Sequence, residues 1–208
     1  MGLAEIKAKT RRLVSDFGLN RRSAWVMAGL TTGLIALAMA GEPLTYQLRF
    51  ERAGIEAGEL WRLASGHLVH LGWRHLWLNV TGLLLIGVLF GQAFTAAAWL
   101  LILAGAVVLM DLGFWQSGLE WYVGLSGLLH AGFAAGTLRW ISAGLKDGII
   151  LGVILVGKLA WEQIVGPMPF SETSAGGPVV VDAHLYGALG GGVVAGFLLG
   201  YERWRGRV

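Results

Sequence analysis

The sequence predicts an all-α membrane protein, a bundle of six transmembrane helices, and three observations carry that prediction. The 208 residues are 55% hydrophobic and only 14% charged, against about 25% charged in an ordinary soluble domain, and mean hydropathy is +0.64. Six apolar runs recur along the chain, each close to the roughly 20 residues that a hydrocarbon core of about 30 Å requires. The basic residues gather at both ends beside apolar segments, a distribution that belongs to membrane topology and not to nucleic-acid binding. No cysteine is present, which excludes a disulfide framework and a thiolate zinc site.

Residues 1–22 form a basic lead-in, with Lys7, Lys9, Arg11, Arg12, Arg21 and Arg22 against Glu5 and Asp16. The first span follows from Ser23 to Gly41. Ala38-Met39-Ala40 imitates a signal-peptidase site, but the run is longer than an ordinary signal core and is read as a retained span. Residues 42–66 make the longest polar connection. Its mixed charges, interleaved with Tyr46, Phe50 and Trp61, are read as an interfacial element resting on the membrane or, equally for most of it, as a solvated loop with a few anchors. The second span runs from about Gly72 to Phe90 and the third from about Ala93 to Met110. Asp111 to Glu120 reads as a short loop edged by Phe114, Trp115 and Trp121, in the manner of an aromatic belt. The fourth span, Trp121 to Leu138, is free of charge; the fifth is Gly148 to Val165, ended by Gly166-Pro167. A polar loop from Phe170 to Pro178 leads to the sixth span, about Val180 to Tyr201, and to a basic tail over residues 202–208. The membrane domain is thus residues 23–201.

Six spans put both termini on one side. The lead-in, the Arg139/Lys146 turn and the tail fall together, opposite Asp111, Glu120, Glu172 and Asp182, so the termini are expected in the cytoplasm. The opposite loops then face outward, toward the periplasm if the membrane is a bacterial inner membrane.

Polar side chains inside spans are costly and are site candidates by default, with satisfied structural histidines as the alternative. Gly124-Leu125-Ser126-Gly127 places a glycine-flanked serine near the outward start of the fourth span. If that helix starts at about Tyr122, Ser126 lies on the order of 9 Å below the level of Glu120, within reach of water. His130 is one turn below it. The second span opens on His67, His70, His75 and Asn79, of which His75 and Asn79 share a helix face at i, i+4. His184 sits near the outward end of the sixth span, on the same side as Gly187, Ala188, Gly191 and Ala195. The series Gly192, Gly196, Gly200, answered by Gly132 and Gly136 on the fourth span, predicts close helix packing that would bring the imidazole to the hydroxyl. Histidine is the usual base for a serine nucleophile. Asn79, His75 and the Ser126 amide are available donors for a developing oxyanion.

These residues resemble the rhomboid intramembrane serine proteases. Gly124-Leu125-Ser126-Gly127 matches their G-x-S-G, His75-x-x-x-Asn79 their H-x-x-x-N, Ala183-His184-x-x-Gly187 their A-H-x-x-G, and Trp61-Arg62 their first-loop pair. The resemblance implies a six-transmembrane-helix rhomboid-like bundle, with Ser126 as nucleophile and His184 as general base. His75, Asn79 and Ser126 would form the oxyanion site, and Gly124, Gly127 and His130 would line it. The substrate implied is a membrane-anchored protein whose helix enters from the bilayer near spans two and five. The compact form looks most like the rhombosortase branch, which is thought to trim proteins ending in a Gly-Gly, helix and basic-tail signal. His130 departs from the tyrosine that many rhomboids carry four residues after the serine. It could stack on His184, bind water or compete as base; His184 is preferred, because an i, i+4 partner points alongside the serine. Lys158 and Glu162, spaced for an ion pair on the fifth span, are read as a structural pair or as part of the substrate gate. The chemistry calls for no cofactor and no metal. Two alternatives stand beside it: a non-catalytic rhomboid-like binding protein, and a metal or proton transporter built on His67, His70, His75 and Asn79.

Overall fold

The computed structural model describes residues 20–206, so the basic lead-in before Asn20 and the last two residues of the tail lie outside the described residues. Among the described residues, six helices of 17 to 24 residues dominate. In chain order they are α1 (Arg21–Met39), α5 (Trp73–Phe90), α6 (Ala96–Ser117), α7 (Ser126–Ser142), α8 (Lys146–Ile164) and α10 (Val181–Trp204), with shorter helices α2 (Gly41–Leu48), α3 (Arg52–Glu56), α4 (Arg62–Ser65) and α9 (Ser171–Ala175) between them. Four of them, α1, α5, α6 and α10, are long and apolar enough to cross a membrane. Their apolar surface is largely outward, with Leu100, Leu101 and Val108 on α6 and Val193 and Phe197 on α10 exposed. Bare hydrophobic surface on this scale suits a lipid solvent and not water, and the chain is an integral membrane protein. α7 has 17 residues, and α8 carries Lys146, Asp147, Lys158 and Glu162, so neither has the plain composition of a span.

Local sequence fixes some of the helix ends. The Asn20 side chain accepts from Ser23 N at 2.8 Å and caps α1, and Thr95 caps α6 by accepting from Ala98 N at 3.2 Å, each satisfying an amide that a helix start leaves unpaired. Gly118, left-handed at φ 73°, stops α6. Two expected boundaries move. Asp111 lies inside α6 and not in a loop, because the buried His67 ring meets its carboxylate at 3.2 Å and removes the cost of carrying it in a helix. The fourth helix starts at Ser126 and not at Tyr122. Trp121–Tyr122 instead form strand β2, antiparallel to Phe50–Glu51 (β1) of the first connection.

That connection is built around a buried arginine. Arg62, 8% exposed, donates to the carbonyls of Tyr46 at 2.8 Å and Arg49 at 3.0 Å and pairs with Glu59. One guanidinium thus ties α2, the approach to β1 and α4 together, a use suited to its fixed fork of donors. Trp61 Nε1 donates to Gln47 O at 3.3 Å while its ring remains half exposed.

α10 packs between α6 and α7, and the approach is close enough to need residues without side chains. A Cβ on Gly187 would stand 2.1 Å from the Gly127 carbonyl oxygen, one on Gly191 2.6 Å from the Ala131 carbonyl oxygen, and one on Gly190 2.7 Å from Ala106 Cα. The expected glycine series is therefore displaced. Gly196 and Gly200 meet nothing within 4 Å, and Gly132 and Gly136 face Ile86 and Phe90 of α5 and not α10. The reason is helix phase: Gly187 and Gly191 are one turn apart on the stripe that carries His184, whereas Gly192 is rotated about 100° from Gly191.

Gly187→Val should therefore force α7 and α10 apart and lower stability by at least about 2 kcal/mol, the scale of core overpacking, whereas Gly196→Ala should not lower it and should raise it by up to about 1 kcal/mol through helix propensity. Thermal unfolding of the two variants in detergent measures the contrast.

Candidate active site

Ser126 is held by the segment before it. Gly124 N donates to Gly66 O at 3.1 Å, and the Tyr122 hydroxyl donates to Gly124 O at 2.7 Å. Gly66 lies so close under β1 that a Cβ there would meet Phe50 N at 2.4 Å. The β1–β2 pair, Gly66 and the Tyr122 hydroxyl together fix where the chain turns into α7. Gly124 has φ 129°, and a Cβ on it would come within 2.9 Å of His75 Nε2, so only glycine both adopts this backbone and admits the ring. As the first helical residue, Ser126 presents an amide that has no partner within the helix.

His184, in the first turn of α10, is 6% exposed. Its Nε2 is 3.1 Å from Ser126 Oγ and its Nδ1 is 2.9 Å from Glu162 Oε2. Lys158 Nζ is 2.7 Å from Glu162 Oε1 and 3.4 Å from His184 Nδ1. The ring of His130 stacks on that of His184, with centroids 4.1 Å apart and planes at 21°. Its Nδ1 lies 2.7 Å from the Ser126 carbonyl oxygen, which can only accept, so this nitrogen carries a proton and is turned away from the serine hydroxyl. The stacking on His184 open to His130 in the sequence thus has a contact.

On the far side of Ser126, His75 Nδ1 accepts from Leu71 N at 3.4 Å, which puts the proton of a neutral ring on Nε2, beside Gly124. Asn79 Nδ2 donates to His75 O at 3.1 Å and keeps a second N–H. Ser126, His184, His75 and Asn79 border one cavity of about 680 Å³, walled by Leu71 and Leu78 and by the connection from Pro169 to Val180. The size suits an extended peptide segment. Lys158 and Glu162 do not line it: Glu162 is 2% exposed behind His184.

The other polar residues at the start of the second span disperse. His67 is fully buried between Phe114 and Tyr122, bonded to Asp111. His70 meets the His75 ring edge-on at 5.0 Å, and burial, followed by the charge of His75, pushes it down to about 3. These histidines do not converge on a common point. Among the described residues, the side chains close enough to share a metal are instead His130, Glu162 and His184. The stacked rings of that group send their nitrogen lone pairs along nearly parallel planes, and an ammonium already occupies the carboxylate, a poor match to tetrahedral coordination.

Residues 57–202 match the model of the Rhomboid domain, a stretch that includes every residue of this site and well over half of the chain. The chain belongs to the rhomboid family. No curated protein matches it closely enough to serve as a relative. Rhomboids are serine intramembrane proteases acting on transmembrane substrates, and in this rhomboid the serine, histidine and asparagine of the sequence motifs border the same cavity. Two contacts of this rhomboid's site are not evident in its motifs. The link from Glu162 to His184 joins helices 22 residues apart in sequence, and the only hint is that the pair Lys158/Glu162 sits in a run otherwise free of charge. The Tyr122 hydroxyl bond has no sequence signal beyond a tyrosine two residues before Gly124.

Gly124→Ala should be more disruptive than its size suggests, because it combines a disfavoured φ with a contact on His75. The variant is expected to lose about 1–2 kcal/mol of stability from the backbone alone and to react at least 10-fold more slowly with a fluorophosphonate probe; unfolding and labelling rates on one preparation give both numbers.

Proposed function

We propose that this rhomboid is an intramembrane serine endopeptidase that works by a Ser126–His184 pair on membrane-anchored proteins. The observation that carries the proposal is the 3.1 Å contact between Ser126 Oγ and His184 Nε2 on the wall of a peptide-sized cavity.

The reaction runs as acyl transfer. His184 Nε2 takes the hydroxyl proton as Ser126 Oγ bonds to the carbonyl carbon of the scissile peptide, and the carbonyl π pair moves onto oxygen. The oxyanion is met by the Ser126 amide, His75 Nε2–H and the second N–H of Asn79, a role supported by their bordering the same cavity. As the carbonyl re-forms, the C–N bond breaks and the new amine leaves with the proton from Nε2. Water then adds to the acyl-serine under the same base, which returns the proton to Oγ.

The placement proposed is a multi-pass inner-membrane protein, with α1, α5, α6, α7, α8 and α10 as six spans, cytoplasmic termini and the site open to the periplasm. Arg139, Lys146, Arg203 and Arg205 at one end support this orientation. Exposed Ile149, Ile150, Val153, Ile154 and Val156 give α8 a lipid-facing surface despite its charges. The substrate class proposed is a protein with a C-terminal transmembrane helix, of the kind carrying a Gly-Gly, helix and basic-tail signal, on the strength of the likeness to rhombosortases. The non-catalytic alternative expects a missing nucleophile or base, and Ser126 and His184 are both present and in contact.

Fluorophosphonate labelling in detergent tests the proposal. Wild-type protein should be labelled, Ser126→Ala not at all, and His184→Ala at background; an unlabelled wild type or a labelled Ser126→Ala overturns it. Asn79→Ala should lower kcat for a transmembrane substrate by about 100-fold with KM little changed, as for loss of one oxyanion donor.

A further inference from the structure

Glu162 stands where a histidine base is oriented, on Nδ1 of the ring whose Nε2 meets the nucleophile. We propose that Glu162 is the third member of a Ser126–His184–Glu162 triad, a positioning residue that fixes the tautomer of His184, with Lys158 as its buried counter-ion. The proposal rests on the reading of Ser126 as nucleophile and His184 as base.

The geometry is specific on three counts. Glu162 Oε2 is 2.9 Å from His184 Nδ1, while Oε1 is bound to Lys158 at 2.7 Å, so both oxygens are committed to donors. An ionised carboxylate only accepts, so the Nδ1 proton must be on the ring. Neutral His184 then has its lone pair at Nε2, 3.1 Å from Ser126 Oγ, as a general base requires. Finally, the carboxylate is 2% exposed whereas the Lys158 side chain is 32% exposed, so the ammonium is the outer partner and the carboxylate is directed inward, to the histidine. A buried carboxylate without that partner would be costly.

Lys158 also makes the carboxylate necessary. Its Nζ is 3.4 Å from His184 Nδ1, near enough to donate to an unprotonated Nδ1. That arrangement would move the ring proton to Nε2, which would then donate to Ser126 Oγ and could not remove its proton. Glu162, closer to Nδ1, selects the opposite tautomer and offsets the repulsion between the ammonium and the imidazolium that forms when Ser126 attacks. Through the cycle the Nδ1 proton remains on the ring; only the Nε2 proton is exchanged. The groups facing His184 are Glu162 and Lys158 from α8, Ser126 and His130 from α7, and His75 from α5, which borders the same cavity. Glu162 is the single acid among them.

The placement also assigns the Lys158/Glu162 pair a task behind the catalytic histidine instead of at the substrate gate, since neither residue borders the cavity. Glu162→Gln is the informative variant: it keeps the shape, removes the charge and lets an amide N–H face Nδ1. The expected result is a fall of at least about 100-fold in the first-order rate of fluorophosphonate labelling, with the probe's half-saturating concentration unchanged and the unfolding temperature close to wild type. Glu162→Asp should recover part of the rate. A Glu162→Gln protein that labels at the wild-type rate, beside a wild type that labels and a Ser126→Ala that does not, sinks the triad and leaves the protease reading intact. A wild type that does not label sinks the protease reading itself. Should Glu162→Gln not fold, ¹⁵N-histidine NMR of the wild type in detergent decides: neutral His184 protonated at Nδ1 is the expected result, and protonation at Nε2 overturns the triad.

Discussion

The contact on which the rest depends is backbone against backbone, the Gly187 face of α10 on the Gly127 carbonyl of α7. In a bilayer no hydrophobic force draws one apolar helix to another, so association relies on packing and on small residues that let main chains meet. Here that packing does more than hold a bundle. Gly187 and Gly127 are neighbours of His184 and Ser126, at three residues and one, so the place where the backbones touch sets the distance between imidazole and hydroxyl. A methyl group at that point would widen the gap from both sides. The spacing between Ser126 and His184 and the backbone packing of α7 on α10 are one feature.

A second constraint fixes the other coordinate, the level at which α7 begins. The strand pair β1–β2, the Gly124-to-Gly66 bond and the Tyr122 hydroxyl join the first connection to the residues just before Ser126. The connection is itself held by Arg62 on the carbonyls of Tyr46 and Arg49. This arrangement explains why a long polar segment with mixed charge has a defined fold instead of acting as a linker. The connection meets the residues before Ser126 largely through main-chain bonds and lines no part of the cavity.

Much of the site was legible in the sequence because each part announces itself locally. A serine between glycines, a histidine and asparagine one turn apart, and a histidine three residues before a glycine stripe are short-range patterns with a reason of their own. What was not legible is relational. The bond from Asp111 to His67 converts an apparent loop residue into a helical one, and nothing near Asp111 in the chain shows the imidazole. That the series Gly192, Gly196 and Gly200 would not make the backbone contact was not visible, although Gly187 and Gly191, which do make it, were legible on the His184 face. The start of α7 moved from Tyr122 to Ser126 because tertiary strand pairing claimed the two residues that a hydropathy reading assigns to the span.

The charges of α8 follow the same logic. Lys158 and Glu162 satisfy an i, i+4 rule, and with only that rule they would be a structural pair like many others. The difference lies in the geometry of the acceptor. A pair that merely neutralised itself could turn both groups toward the polar surface, where desolvation is smaller. Glu162 is instead the more buried partner and directs one oxygen to the histidine. Burying a carboxylate in a membrane helix is unfavourable unless each lone pair has a use, and here one oxygen holds an ammonium and the other an imidazole. In the proposed mechanism that cost is intelligible, because the carboxylate would be charged at the moment His184 becomes positive, as the hydroxyl of Ser126 gives up its proton. A neutral hydrogen-bond acceptor at the same position would orient the ring, but it would not stabilise the charge that forms on it.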